Sequence, residues 1–326
     1  MRTRHLIPIL TLALAAQDTP LDQPTIRVDV NLARVLVSVR SKNGPFRSGL
    51  TQPDFRLFED GVEQKIGYVT QGSALPLTIG ILVDTSGSQL HLIKKELDHA
   101  RAFLKAIMKP GDQGFLTEFR GRVWMLRELT SDPAELAAGL ADASHSYALL
   151  PGSQRRELTP LYPRRNSNST AFYDAIYLAA KEMPKSTGGR RVLLVLTDGV
   201  DTSSATRPLV ALAAAQDNEA AIFHLALTDY KQLKEQFGST SQLRLERARK
   251  TMDALSSRTG GRVYDPSKRK AKEMFREMET ELRSLYEIGY TPSNTKHDGK
   301  FREIQVFTTD ASLEVRHRQG YRAPAK

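Results

Sequence analysis

The stretch Leu77-Thr78-Ile79-Gly80-Ile81-Leu82-Val83-Asp84-Thr85-Ser86-Gly87-Ser88 governs the reading of the whole chain. Leu77 to Val83 is almost continuously apolar, the mark of a strand covered on both faces. The run ends on a carboxylate, and hydroxyls follow two and four positions later with Gly87 relaxing the backbone between them. From Leu90 the period turns helical: Leu90, Ile93, Leu97, Ala100, Phe103, Leu104 and Ile107 share one stripe up to Met108. Asp and Ser at the head of a helix are also what a simple N-cap looks like, so this stretch alone decides little about chemistry.

A second stretch shifts the balance. Val192 to Leu196 is another continuous apolar strand, and it too ends in a polar turn, Thr197-Asp198-Gly199. In an open parallel sheet ligands gather beyond the carboxyl ends of the strands, so Asp84 and Asp198 can share a cation although they are distant in sequence. Thr170, at the head of a helix that carries Asp174, is the third contributor. The candidate ligands are therefore Asp84, Ser86, Ser88, Thr170 and Asp198, with Asp174 supporting them from behind or merely favouring the positive end of its helix. All are hard oxygens and the chain has no cysteine. That donor set disfavours zinc and copper and favours Mg²⁺, with Mn²⁺ or Ca²⁺ as alternatives. Such an ion keeps room for one more oxygen, most usefully a carboxylate from a partner. His91, His99, His224 and His297 are scattered and read as surface or core residues.

Between and after these stretches, strands at Phe115–Phe119, Val123–Leu126 and Ile222–Leu227 alternate with helices at Pro133–Leu140, Thr170–Met183, Leu209–Gln216, Leu243–Leu255 and Met274–Leu285. Strands alternating with helices argue an α/β fold with a mostly parallel central sheet and helices on both faces. The two ends differ. Ile26, Val28 and Val30, then Val35, Val37 and Val39, alternate with polar or small residues, and Lys42-Asn43-Gly44-Pro45 and Glu59-Asp60-Gly61 read as turns. Tyr286, Ile288 and Tyr290, then Ile304, Val306 and Phe307, then Leu313 and Val315, return to strand patterns. Neither end has enough apolar surface for its own core, so the two are expected to pair into one small β-sandwich with the α/β domain inserted between them. The expected divisions are a signal peptide at 1–16, an N-terminal β segment at 24–72, the α/β domain at 75–283 and a C-terminal β segment at 285–321.

Residues 144 to 168 form the one long irregular stretch, with Arg155, Arg156, Arg164 and Arg165 shortly before Thr170. Four guanidiniums there would draw in an acidic ligand. Over the whole 326 residues, 47 Lys and Arg against 37 Asp and Glu give a formal charge of +10. That excess suits an acidic partner, a protein or an anionic envelope component. It is spread along the chain with no nucleic-acid module, so no nucleic-acid role is expected. Arg2 and Arg4 ahead of the apolar run Leu6 to Ala16, with Ala13-Leu14-Ala15 behind, follow the order of a secretory signal, and the run is too short to span a bilayer. An exported protein, periplasmic or secreted, with no transmembrane segment in its mature chain is expected.

Asp84-x-Ser86-x-Ser88, Thr170 and Thr197-Asp198-Gly199 resemble the metal-ion-dependent adhesion site (MIDAS) of von Willebrand factor A (VWA) domains. Leu50 to Val69, Thr197 to Ser204, Thr259-Gly260-Gly261-Arg262, Leu285 to Pro292 and Arg318-Gln319-Gly320-Tyr321 are similar to a bacterial, acidobacterial-type branch of that family. The resemblance implies a Rossmann-like VWA domain with a mostly parallel central sheet, plus the small β-sandwich-like domain from both ends. It implies that Ser86, Ser88 and Thr170 bind metal through hydroxyls, and Asp84 and Asp198 directly or through water. Asn168-Ser169-Thr170 departs from the family, where a glycine pair often precedes the threonine. The function it implies is a non-enzymatic, metal-dependent adhesion-type binding module. A component whose metal is purely structural, and a metal-dependent hydrolase, are the alternatives; the hydrolase lacks a general base, since both metal loops are without His and Glu.

Overall fold

The structure, a computed structural model, describes residues 32–42, 44–71, 75–87, 89–144, 155–159, 169–184, 189–265 and 270–325. The expected signal peptide, the strand pattern at Ile26 to Val30, and Ser88, Arg164 and Arg165 among the site residues lie outside them. The chain opens with strands β1 (Ala33–Ser41), β2 (Phe55–Glu59), β3 (Val62–Gln64) and β4 (Ile66–Gln71). The central body follows as β5 (Leu77–Asp84), α1 (Leu90–Ile107), β6 (Gln113–Phe119), β7 (Val123–Thr130), α2 (Pro133–Ser144) and β8 (Arg156–Glu157). It continues with α3 (Phe172–Glu182), β9 (Arg190–Thr197), α4 (Pro208–Asp217), β10 (Ala220–Ala226), α5 (Tyr230–Phe237), α6 (Ser241–Thr259), β11 (Val263–Tyr264) and α7 (Ala271–Ser284). Strands β12 (Tyr286–Tyr290), β13 (Phe301–Thr308), β14 (Leu313–His317) and β15 (Gly320–Arg322) close the chain.

The body is a seven-stranded sheet in the order β11-β10-β9-β5-β6-β7-β8. β5, β6, β9, β10 and β11 run parallel, and β7 turns antiparallel against β6. Because both faces are covered, the centres of β5 (Ile79–Val83) and β9 (Val192–Leu196) are continuously apolar or glycine, as the sequence runs indicate. Ile79, Ile81 and Val83 pack with Phe103 and Ile107 of α1, Leu136 of α2 and Met278 of α7 on one face. Leu82, Leu193 and Val195 pack with Phe172 and Ile176 of α3, Ala211 of α4 and Met252 of α6 on the other. Gly80 is required at the centre, where an added Cβ would stand 2.4 Å from the Phe115 ring.

Strands from both ends of the chain share two four-stranded antiparallel sheets, β14-β1-β12-β4 and β15-β13-β2-β3. One core serves both: Val35, Val37, Val39, Phe55 and Leu57 from the front meet Tyr286, Ile288, Tyr290, Ile304 and Val306 from the back. At ~1.5–3 kcal/mol for each fully buried large apolar side chain, neither half holds without the other. Phe307 departs from the sequence reading. It faces outward, half exposed, against the edge of Phe58 at 5.8 Å, because Ile304 and Val306 take the inward positions of the alternating strand.

The two passages into and out of the body are pinned. Arg190, fully buried, donates to the carbonyls of Leu75 and Leu282. Asp112 accepts from the Leu77 N–H at 2.7 Å and pairs with Arg283. Glu281 of α7, also fully buried, accepts from Ser38 of β1 at 2.9 Å, from the Arg262 Nε at 3.0 Å and from the Tyr264 hydroxyl.

His224 of β10 lies in the core with Nδ1 2.9 Å from Ser256 Oγ, while His99 and His297 are exposed. Burial pushes its imidazole down to about 3 from 6.5. Between those values the unfolded chain binds the extra proton, so stability rises with pH across that window and falls as pH drops through it. From pH 6.5 to 5, thermal melts of the wild type should decline by up to ~1.4 kcal/mol per pH unit more than those of His224→Asn. Parallel pH curves for the two proteins would contradict this.

Candidate metal centre

The register Val83↔Leu196 sets β5 and β9 side by side, so that Asp84 and the Thr197-Asp198 pair leave adjacent strand ends together. The chain after β5 turns to the α1 face and the chain after β9 to the α4 face. Asp84 and Asp198 therefore sit at the crevice where the strand order reverses, the place where open α/β sheets hold ligands.

Both carboxylates are buried. Asp84 Oδ2 accepts from Thr197 Oγ1 at 2.6 Å, and Oδ1 accepts from the Ser86 N–H at 3.0 Å. Asp198 Oδ1 accepts from the Val200 N–H at 2.9 Å, and Oδ2 accepts from Gln89 Nε2 at 2.7 Å. Burial, reinforced by the neighbouring Asp198 carboxylate, pushes Asp84 up to about 7; hydrogen bonds from Ser86 and Thr197 pull the other way. Asp84 has no lysine or arginine partner among the described residues. Gly199 answers a steric demand of the same turn: its φ is +75° and a Cβ would stand 2.8 Å from Met252 Sδ.

Thr170 is buried just ahead of α3. The sequence pattern starts that helix at Thr170, whereas it begins at Phe172, because the Thr170 carbonyl accepts from the Thr202 and Ser203 N–H groups instead of from Asp174. Thr170 N–H donates to Thr202 Oγ1 at 2.8 Å, and Ala171 N–H to the Arg120 carbonyl at 2.6 Å. Asp174 uses both oxygens on backbone, Oδ2 accepting from Ala205 N–H at 3.0 Å and Oδ1 from Thr206 N–H at 2.8 Å. It holds the loop after β9.

Sequence reasoning missed Gln89, Asp201, Thr202 and Ser204, and gave Thr197 only as a member of its motif. Asp201, Thr202 and Ser204 were signalled by a run of good capping residues next to Thr197-Asp198-Gly199 and by Ala171, a poor N-cap, before α3. No simple pattern marks Gln89. The arginine reading needs correction. Arg155 Nη1 pairs with Glu118 Oε1 at 2.8 Å with its side chain only 9% exposed, and Arg156 bridges Glu128 and Glu182 at 2.7 Å each. The expected irregular stretch supplies edge strand β8 here, and both guanidiniums are neutralised by the body's own carboxylates. Among the described residues no group of three or more His, Cys, Asp or Glu forms a metal cluster.

Numbered within the body, the sheet order is 3-2-1-4-5-6 with strand 3 antiparallel and β8 appended, and the oxygen-lined crevice opens between strands 1 and 4. The body has the doubly wound α/β arrangement with a mostly parallel sheet that the sequence leads one to expect. No protein-family model matches the chain, and no curated protein matches it. Similar solved structures include the conserved hypothetical protein BatB from Bacteroides thetaiotaomicron, 16% identical over 64% of this chain and 100% of that one, TM-score 0.43. Proximal thread matrix protein 1 from the mussel byssus, with a zinc-occupied MIDAS motif, is 13% identical over 68% of this chain and 49% of its own, TM-score 0.45. The SpRpn10 VWA domain is 14% identical over 62% of this chain and 94% of its own, TM-score 0.35.

Proposed function

We propose that Asp84, Ser86, Ser88, Thr170 and Asp198 hold one divalent cation, Mg²⁺ first and Mn²⁺ or Ca²⁺ as alternatives, and that the chain is a metal-dependent protein-binding module. The observation that carries this reading is the pair of buried carboxylates at adjacent strand ends, Asp84 lacking a basic partner among the described residues and disfavoured as an anion by Asp198. A hard cation suits that pair and the surrounding hydroxyls. With few charges from the protein, the ion keeps Lewis acidity and an exchangeable position for a carboxylate. The partner is a protein with an exposed acidic residue or an anionic envelope component. Both aspartates are engaged in hydrogen bonds within and between their loops, which supports binding over hydrolysis.

With Arg155 buried against Glu118 and Arg156 held at the surface by Glu128 and Glu182, steering of an acidic partner falls to Arg164 and Arg165. Exposed charges act mainly on association rate and are screened beyond ~8 Å at physiological salt. Retention of an envelope protein on the immobilised chain should require Mg²⁺, be lost in EDTA and be lost in Asp198→Ala. Retention that is indifferent to both changes would contradict a metal-borne contact. For a partner so found, changing Arg164 and Arg165 to serine should slow association and flatten its salt dependence.

Export is part of the same proposal and rests on Arg2, Arg4 and the Leu6 to Ala16 run. Among the described residues, no helix is long and apolar enough to cross a membrane. Sequencing of the natively produced protein should begin at Ala16 or Gln17; an intact Met1 on cytoplasmic protein would contradict export.

A further inference from the structure

We infer that the loop 201–206 and the head of α3 form one block that fixes Thr170 relative to Asp198, with Asp201, Ser204 and Asp174 as positioning residues for the metal; this rests on the metal reading above. The first N–H groups of any helix lack partners within it and are usually served by the residue just before. Here that residue is Ala171, which has no side-chain acceptor. The acceptors come instead from the loop that follows Asp198. Phe172 N–H donates to Asp201 Oδ1 at 2.9 Å, and Ser204 Oγ accepts from the N–H groups of Tyr173 at 3.0 Å and Asp174 at 3.2 Å. Ser204 Oγ in turn donates to Asp201 Oδ1, which fixes both acceptors.

The helix answers in kind. Asp174 receives the Ala205 and Thr206 N–H groups, and the Thr170 carbonyl receives those of Thr202 and Ser203, each at 3.0 Å. Thr170 N–H closes the circuit on Thr202 Oγ1. Each segment caps the other, so Thr170 cannot shift against Asp198 without leaving buried donors unserved. Two of the three ligand-bearing loops are thus one preset unit. The loop from Asp84 is tied to that unit through single side chains, Thr197 on Asp84 and Gln89 on Asp198. Metal affinity should therefore depend on residues that never touch the ion, as is usual for the partners that orient metal ligands.

The test is calorimetric titration with Mn²⁺, and amide hydrogen exchange across 169–174, on wild type, Ser204→Ala, Asp201→Asn, Ser204→Thr and Glu281→Gln. Ser204→Ala and Asp201→Asn should weaken Mn²⁺ binding about 10- to 100-fold and speed exchange at Phe172 to Asp174. Ser204→Thr, which keeps the hydroxyl, should retain both properties. Glu281→Gln should lower the melting temperature and leave affinity unchanged, separating positioning from general loss of stability. Wild-type affinity in both Ser204→Ala and Asp201→Asn would overturn the inference. If the wild type itself gives no Mn²⁺ binding, the metal reading fails. Exchange alone then judges the block, and unchanged rates at Phe172 to Asp174 in Ser204→Ala overturn it.

Discussion

Asp84→Asn should raise the melting temperature of the metal-free protein at pH 8 while abolishing its response to Mg²⁺. The Asp84 carboxyl ionises near 3.8 when unconstrained, and burial together with Asp198 moves it up to about 7 in the fold. Between those values the folded chain binds more protons than the unfolded one, so the cost of ionising Asp84 grows as pH rises through that interval and is complete above it. A neutral amide of the same shape avoids that cost and keeps one acceptor for the Ser86 N–H or the Thr197 hydroxyl. With part of the gain lost to the misplaced amide hydrogens, about 2 kcal/mol remains, or about 3 °C for a chain of this size. The gain should vanish by about pH 4, where both side chains are neutral. The wild type should gain ~2.7 kcal/mol when Mg²⁺ stands at a hundred times its dissociation constant, and the variant nothing. Melts in EDTA and in Mg²⁺ at pH 4, 6 and 8 check both parts. A variant less stable than wild type at pH 8 in EDTA would contradict the electrostatic account of the crevice.

Glu281→Ala should be among the most damaging single changes in the chain. The carboxylate is fully buried and joins three elements, Ser38 of β1, Arg262 before β11 and Tyr264 within it, to α7. Its removal strands the Arg262 guanidinium, 15% exposed, with its main counter-charge gone, and leaves two hydroxyls without their acceptor. Breaking a buried pair from one side costs ~3–5 kcal/mol, which is about 4–7 °C here. Glu281→Gln, which keeps an acceptor, should lose less. Denaturant unfolding of the two variants measures the difference. A loss under about 1 kcal/mol in Glu281→Ala would mean that the β-sandwich and the α/β domain are held together elsewhere.

The parallel sheet was legible because burial on both faces leaves unbroken apolar runs, Leu77 to Val83 and Val192 to Leu196. The breaks at Asp84 and Asp198 mark the sheet edge where a ligand can sit. The sandwich was legible through period-two alternation at Val35 to Val39 and Tyr286 to Tyr290. Helix α5 was not, because its Tyr-Lys-Gln-Leu-Lys-Glu-Gln-Phe sequence carries few apolar residues, with Leu233 and Phe237 packing against Leu245 and Ala248. Strand β8 escaped notice because two residues carry no periodicity. Gln89 and the acceptors at Asp201, Thr202 and Ser204 act on partners far away in sequence, and local pattern has no access to such pairs. The same reason defeated the arginine reading: nothing near Arg155 and Arg156 in sequence announces Glu118, Glu128 and Glu182.

The central claim is that Asp84, Asp198 and the hydroxyls around them form a cation site. Isothermal titration of the metal-free wild type at pH 7.5 with Mg²⁺, Mn²⁺ and Ca²⁺ in turn tests it most directly, with Asp84→Asn run beside it. The expected result is saturable binding of one ion per chain for Mg²⁺ or Mn²⁺, absent in the variant. Wild-type protein that binds none of the three, or a variant that binds as the wild type does, would contradict it.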